Sequence, residues 1–161
     1  MQDLLMTALT TLRMTADEFI SWAMDQPKGK RYELSNGEVV AMPLERVRHT
    51  RVKNLIWLRL RETLRARKLA CEALGDGVSV RVDMGPVYEP DICVRCGDRL
   101  DGDIVEISDP LIVVEVAPSS QALDTGAKLD GHFRLPSVVI AHGVSSEAAV
   151  RQRLAGSFLR A

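Results

Sequence analysis

The pattern of apolar and polar residues predicts an α/β chain in which short strands and helices follow one another. Apolar residues recur every three or four positions over residues 50–69, which is the spacing of one helix face. Residues 78–82 alternate with a period of two, which predicts a half-buried strand. Short apolar runs at 91–95, 111–117 and 138–141 predict three further strands, and residues 124–133 have the pattern of a helix.

Two local motifs predict how the folded part of the chain begins. Thr15 followed three residues later by Glu18 is a capping box, so a short helix should start there. Its predicted buried side chains are Phe19, Ile20, Ala23 and Met24. Further on, Asn36-Gly37 separates two apolar segments, and this pair is typical of a tight β-hairpin because both residues tolerate positive φ.

The length of 161 residues suits one domain. We predict that this domain covers residues 14–142. Residues 1–13 are weakly patterned and are interpreted as an N-terminal extension without fixed structure, and residues 143–161 as an atypical C-terminal tail. Hydrophobic residues make up 46% of the chain, which is enough for a globular core.

Two carboxylates lie inside the most apolar part of the chain. Asp91 opens one predicted strand, and Glu115 lies within the next one. A buried carboxylate is costly unless a cation pairs with it, and two of them on neighbouring strands would suit a hard ion such as Mg²⁺. Lys128 follows on the next predicted helix, where it could assist at a phosphate or simply pair with Asp124 one turn before it.

A third acid, Glu33, lies in the first strand of the predicted hairpin. It alternates with Tyr32 and Leu34 and therefore faces away from them. Two interpretations stay open, a solvent-facing strand residue or an additional acid near a metal. His49, just before the predicted long helix, is more typical of a surface or capping residue than of a catalytic one.

Positive charge is concentrated in one segment, although the net charge is only −1. Residues 46–68 contain nine basic residues and a single acid, Glu62. Such a segment on an otherwise acidic protein suits a partner with a phosphate backbone. On charge alone, a solvated helix face is the simpler interpretation.

The cysteine and hydropathy patterns favour a cytoplasmic protein without a membrane partner. Three cysteines do not indicate a disulfide framework, and a reducing compartment is the default for such a chain. No segment approaches the roughly 20 apolar residues that span a bilayer, and no signal peptide is evident. Cys93 and Cys96 form a CxxC pair, but a zinc site needs about four ligands and a redox pair should open a helix.

Taken in order, these motifs resemble those of the Uma-two (Uma2) family of restriction-endonuclease-like proteins, in the PD-(D/E)XK superfamily. The motifs that carry the likeness are Arg31-Tyr32-Glu33-Leu34, Asn36-Gly37, His49, Glu89-Pro90-Asp91, the run from Asp109 to Val116, Pro118-Ser119-Ser120, Asp124, Lys128 and Leu135-Pro136-Ser137-Val138. The resemblance implies an α/β fold with a restriction-endonuclease-like core, a central mixed β-sheet flanked by helices, and an N-terminal helix and hairpin. It also implies a Mg²⁺-dependent site that cleaves DNA, in which Mn²⁺ could replace Mg²⁺.

The resemblance also implies roles for individual residues. Asp91 and Glu115 would be the metal ligands, Glu33 an additional acid near the metal, and Lys128 the amine that assists at the phosphate, which makes all four catalytic. The DNA backbone would be contacted by basic residues of the predicted long helix. We take these to be Arg48, Arg51 and Arg59.

The chain departs from the family pattern at several positions, so other functions stay open. Ala117 stands where the superfamily carries a lysine, His132 stands where the family usually has a tyrosine, and the C-terminal segment differs. The first alternative is a catalytically inactive DNA-binding or assembly module with the same fold. The second is a small metal-binding or redox protein that uses Cys93 and Cys96. A monomer and a homodimer are both compatible with the sequence.

Overall fold

A computed structural model describes residues 13–116, 128, 130–136 and 140–144, the last segment by its backbone only. Two helices are α1 (Ala16–Met24) and α2 (Val47–Ala66), and residues 128 and 130–132 are also helical. The strands are β1 (Tyr32–Ser35), β2 (Glu38–Ala41), β3 (Cys71–Gly75), β4 (Ser79–Arg81), β5 (Val87–Tyr88), β6 (Ile92–Cys96), β7 (Glu106–Ile107), β8 (Ile112–Val116) and β9 (Ile140–Val144). The predictions for residues 1–12, for Asp124 and for the tail from residue 145 lie outside the described residues.

The strands form two mixed sheets, which confirms the predicted α/β class. One sheet has the order β2-β1-β5-β4-β7 and the other the order β3-β6-β8-β9. Each is mixed because one pair is parallel, β4 with β7 in the first sheet and β8 with β9 in the second. Within the described residues, no helix is both long and apolar enough to cross a membrane.

The predicted N-terminal helix is confirmed as α1, which starts with the capping box. The backbone N–H of Glu18 donates to the hydroxyl of Thr15, and the backbone N–H of Thr15 donates to Oε2 of Glu18 at 2.8 Å. Phe19 is fully buried against β1 and β5. The prediction that Met24 is buried is wrong, since its side chain is 69% exposed at the last residue of the helix.

The predicted hairpin is confirmed as the β1–β2 pair. Ser35 pairs with Glu38, so Asn36 and Gly37 alone form the loop. Both loop residues have positive φ, 51° and 82°, which is the conformation that a two-residue hairpin loop with a matching twist requires. The hairpin places Glu33 at the second position of β1.

The long helix α2 covers one face of the four-stranded sheet. Its buried apolar residues are Val52, Ile56 and Leu60, which pack against Ile92, Val94, Val114 and Val116. The predicted bounds of 50–69 are wrong by three residues at each end. The helix starts after the extended residue Arg46, and its first turn is mostly polar, so the apolar periodicity does not reveal this start. It ends before Lys68, whose φ of 53° is incompatible with a right-handed helix.

Strand β3 was not predicted, and it places Cys71 directly opposite Cys96 of β6. These two cysteines form a disulfide in the structure, with 3.9 Å between their Cα atoms. The three cysteines did not indicate a disulfide framework, and this single bond was not predicted, because strand register brings together two residues that are 25 positions apart.

Candidate active site

Asp91 is the residue directly before β6, and a hydrogen bond from the neighbouring strand β8 holds its side chain. Its Oδ2 accepts a hydrogen bond from the backbone N–H of Val116 at 2.6 Å. Its Oδ1 lies 3.4 Å from Nε2 of His49 and 3.5 Å from Nζ of Lys53, both on α2. The residue is only 7% exposed. The Asp91 carboxylate is therefore fixed between the end of β8 and the first turns of α2.

Glu115 lies in β8, directly before the residue that donates to Asp91. The antiparallel register pairs Ile92 with Val114, so the backbone of Glu115 is one position beyond this pair, on the side of Asp91. Glu115 is 7% exposed, and its Oε1 lies 3.4 Å from Nε2 of His132. Two buried carboxylates thus occur at the same end of the sheet, Asp91 directly before β6 and Glu115 within β8.

Glu33 is a buried residue of β1, which excludes the interpretation that it faces solvent. It is 4% exposed, and its Oε1 accepts a hydrogen bond from the backbone N–H of Glu89 at 3.0 Å. Its Oε2 forms an ion pair with Nζ of Lys128 at 2.6 Å. Glu33 therefore links the five-stranded sheet to the segment just before Asp91 and also orients the Lys128 amine.

His132 follows Lys128 by one helical turn and is completely buried. Its ring packs edge-on against Tyr88, with 5.2 Å between the ring centroids. Burial lowers the pKa of His132 to about 4, so the ring is neutral at pH 7 and its contact with Glu115 is not an ion pair. Gly131 leaves room for the Tyr88 ring, since a Cβ atom there would lie 2.7 Å from its Cε2.

A second set of charged side chains surrounds Lys53, a buried residue of α2 that is 5% exposed. Its Nζ donates to Oε1 of Glu45 at 2.5 Å and to Oδ2 of Asp76 at 2.7 Å. Burial alone would lower the pKa of Lys53, but the hydrogen bonds to Asp76 and Glu45 outweigh it, so the pKa is raised and the amine stays charged. This amine was not predicted from the sequence to belong to the site, although it lies one turn beyond His49 on the same helix face.

His49 also belongs to the site, which corrects the interpretation that it is a surface or capping residue. The ligand atoms of Glu45, His49 and Asp91 all lie within 4.8 Å of one another. Carboxylate oxygens suit Mg²⁺, whereas a set that includes an imidazole nitrogen also suits transition metals such as Mn²⁺. The donor set around Asp91 therefore fits a divalent cation without fixing which one.

The three arginines predicted to contact DNA are exposed on α2. Arg48 and Arg51 lie in the first two turns, next to His49, and Arg59 lies farther along and pairs with Glu62 at 3.0 Å. Because α2 begins beside Asp91, its basic surface extends away from the buried carboxylates.

The CxxC pair does not form a single site. Residues three positions apart in a strand face opposite sides of the sheet, and Cys96 is already bound to Cys71. Cys93 instead packs with Val113 in the core, and burial raises the pKa of its thiol to about 12. The alternative of a zinc or redox protein that uses Cys93 and Cys96 together is incompatible with this geometry.

Comparisons with known proteins agree with this architecture. Residues 16–138 match the Uma2 family, which is described as "Putative restriction endonuclease". Among solved structures, the chain is similar to a protein described as a putative nuclease belonging to DUF820 from Anabaena variabilis, with a TM-score of 0.65 and 14% sequence identity. That match covers 82% of this chain and 74% of the other, and at this identity it shows the fold alone. A search of curated proteins found no match.

The family match includes Asp91, Glu115, the hairpin with Glu33 and the helical segment of Lys128, and it covers most of the chain. We conclude that the chain belongs to the Uma2 family, whose description is "Putative restriction endonuclease".

Proposed function

We propose that this protein is a Mg²⁺-dependent endonuclease that hydrolyses phosphodiester bonds of DNA, with Asp91 and Glu115 as the metal ligands. The observation that supports the proposal is the hydrogen bond from the N–H of Val116 to the buried Asp91, because Val116 directly follows Glu115, a second buried carboxylate, on β8. A bound divalent ion would activate a water molecule and neutralise charge on the phosphate. Glu45 and His49, whose ligand atoms lie within 4.8 Å of that of Asp91 and of each other, are further donors available to such an ion, and Mn²⁺ could take the place of Mg²⁺.

The proposed role of Lys128 is to stabilise the negative charge that develops on the phosphate. A lysine near the phosphate can do this electrostatically, most effectively where water is excluded. The ion pair with the buried Glu33 holds the amine in one position, so little orientation has to be gained during the reaction. In this proposal, Lys128 supplies the amine that is absent at position 117.

The test of the proposed function is nicking of supercoiled plasmid by the purified protein. We expect conversion to open circles with either Mg²⁺ or Mn²⁺ and no conversion in EDTA. The alternative, an inactive DNA-binding module, predicts DNA binding without nicking under all of these conditions. Absence of both binding and nicking would contradict the proposal and its alternative together.

Metal binding gives a prediction that does not depend on turnover. Titration calorimetry with Mn²⁺ should show binding to the wild-type protein and binding at least ~10-fold weaker for Glu115→Gln, because the amide keeps the shape of the side chain but loses the charge that attracts the ion. Glu62→Gln, an exposed residue of α2, is the matched control and should bind Mn²⁺ like the wild type. Equal binding by Glu115→Gln would exclude Glu115 as a ligand.

The basic surface of α2 gives a prediction about DNA affinity. Replacing Arg51 with Gln should weaken binding to all duplex sequences alike and reduce the slope of log K against log salt by about 1, since one phosphate contact is lost. Filter binding at several salt concentrations in EDTA measures both quantities without cleavage. Arg99→Gln removes the same charge from an exposed loop residue between β6 and β7 and should leave the slope unchanged. An unchanged slope for Arg51→Gln would remove this residue from the DNA surface.

A further inference from the structure

A cavity of about 430 Å³ opens directly beside the candidate active site. It lies between α2, the end of β3 with the turn after it, and the start of β6. Asp91 forms part of its wall, so a ligand in the cavity would lie next to a proposed metal ligand. The proposed metal site and the basic surface of α2 assign no ligand to this cavity.

The cavity has an apolar, aromatic side. Trp57, Leu74 and Ile92 contribute to its lining. The indole of Trp57 is held in place, because its Nε1 donates to the carbonyl oxygen of Ala73 at 2.9 Å and the guanidinium of Arg61 lies 5.1 Å from its ring centroid. A fixed aromatic side chain of this kind suits a flat, weakly polar ligand better than a flexible one.

The polar side of the cavity disfavours an anion. Two carboxylates, Asp76 and Asp91, contribute to the lining. The one cation among the lining residues, Lys53, already donates to Asp76 and Glu45. A phosphate placed there would have to compete with these carboxylates for Lys53 and would be repelled by them. Asn54, which is exposed at the rim, offers both a donor and an acceptor, as the edge of a nucleobase does.

We propose that this cavity, the Trp57 cavity, binds a single unstacked nucleobase of the DNA strand, next to the phosphate that is cleaved. The proposal rests on the proposed nuclease function. Trp57 contacts the base through its aromatic ring, and Asn54 hydrogen-bonds to its polar edge. A base inside a duplex cannot reach such a cavity, so the site selects DNA in which one base is unpaired or readily extruded.

The test uses Trp57 as its own reporter. The chain has two tryptophans, so in a Trp22→Phe background only Trp57 emits. We compare a DNA duplex with one unpaired base to the same duplex with an abasic residue at that position, in EDTA to prevent cleavage. The unpaired base should quench Trp57 fluorescence and bind at least ~5-fold more tightly than the abasic duplex, which is the low end of the effect of one base–aromatic stack.

Variants separate the stacking role from a structural one. Trp57→Phe keeps an aromatic ring and should keep the preference for the unpaired base, whereas Trp57→Leu should remove it. Asn54→Ala, at an exposed position, should reduce discrimination among the four unpaired bases while leaving affinity for the abasic duplex unchanged. Leu58→Ala, on the same helix but outside the cavity, is the control and should behave like the wild type.

The outcomes distinguish this proposal from the proposed function. Equal binding of the two duplexes with no change in fluorescence would overturn the nucleobase site, and plasmid nicking by the same protein would show that the nuclease function stands. A protein that binds neither duplex would overturn both. If Trp57→Leu fails to fold, the comparison of the two duplexes and the Asn54→Ala variant still decide.

Discussion

Asp91→Asn is expected to reduce plasmid nicking by at least about 100-fold. Removing a metal ligand forfeits several kcal/mol of charge stabilisation at the phosphate, and each 1.36 kcal/mol is a factor of ten in rate. Asparagine is chosen because its carbonyl oxygen can still accept the hydrogen bond from Val116, which Asp91 receives at 2.6 Å. The strand contact is then preserved while the negative charge is lost, so loss of activity reports on the charge.

The nicking rate is measured under single-turnover conditions with Mg²⁺ and with Mn²⁺. Asp109→Asn is the matched control, since Asp109 is an exposed carboxylate that pairs with Arg95 at 3.0 Å. It should nick at the wild-type rate. Melting temperatures of all three proteins establish that the fold is intact. If Asp91→Asn nicks as fast as the wild type, the activity comes from a contaminant and the assigned site is wrong.

The second large effect is on stability, through His132. The pKa of this buried ring is about 4 in the folded protein, against an ordinary value of 6.5. Between these two values the unfolded chain binds a proton that the folded protein does not, so stability is lost as the pH falls from about 6.5 to about 4. At 1.36 kcal/mol per pKa unit, the loss from this residue is about 3 kcal/mol.

The measurement is urea unfolding between pH 7 and pH 4 in metal-free buffer, for the wild type and for His132→Phe. Other groups titrate in this range in both proteins, so the informative quantity is the difference between the two curves. The free energy of unfolding of the wild type should fall by about 3 kcal/mol more than that of His132→Phe. Parallel curves would show that the ring of His132 is accessible to protons in the folded state.

His132→Tyr extends this prediction, because tyrosine is the residue that the family resemblance leads one to expect at this position. The larger ring and its hydroxyl add two heavy atoms to a completely buried site beside Tyr88 and Glu115, so overpacking should cost about 1–3 kcal/mol at pH 7. The variant should also lose the extra pH dependence. A stability equal to the wild type at both pH values would contradict the packing seen around His132.

Local motifs with a short-range mechanism were predictable from the sequence. The capping box at Thr15 and Glu18 and the loop Asn36-Gly37 act within four residues, so their physics is fully contained in the local sequence. The apolar stripe of α2 was also predictable, because helix periodicity is a property of one segment. The bounds of α2 were not, since its first turn is polar and its end depends on one left-handed residue, Lys68.

Contacts between distant segments were decided by the tertiary structure. The disulfide depends on the register of β3 with β6, and β3 has no distinctive pattern of its own. The position of Lys53 among Glu45, Asp76 and Asp91 depends on how α2 docks on the sheet. Docking angles and strand registers are set by packing between elements, and no short stretch of sequence encodes them.

The sequence by itself determined which residue types were available to the site. These are the acids Asp91 and Glu115 within apolar segments, a lysine at position 128 and a basic helix. Only the tertiary structure decided which of them meet. It joined Glu33 to Lys128, set His132 against Glu115, and brought His49 and Lys53 to Asp91. The physical reason is that residue chemistry is local, whereas distances between side chains from separate elements arise only when the sheets and helices pack.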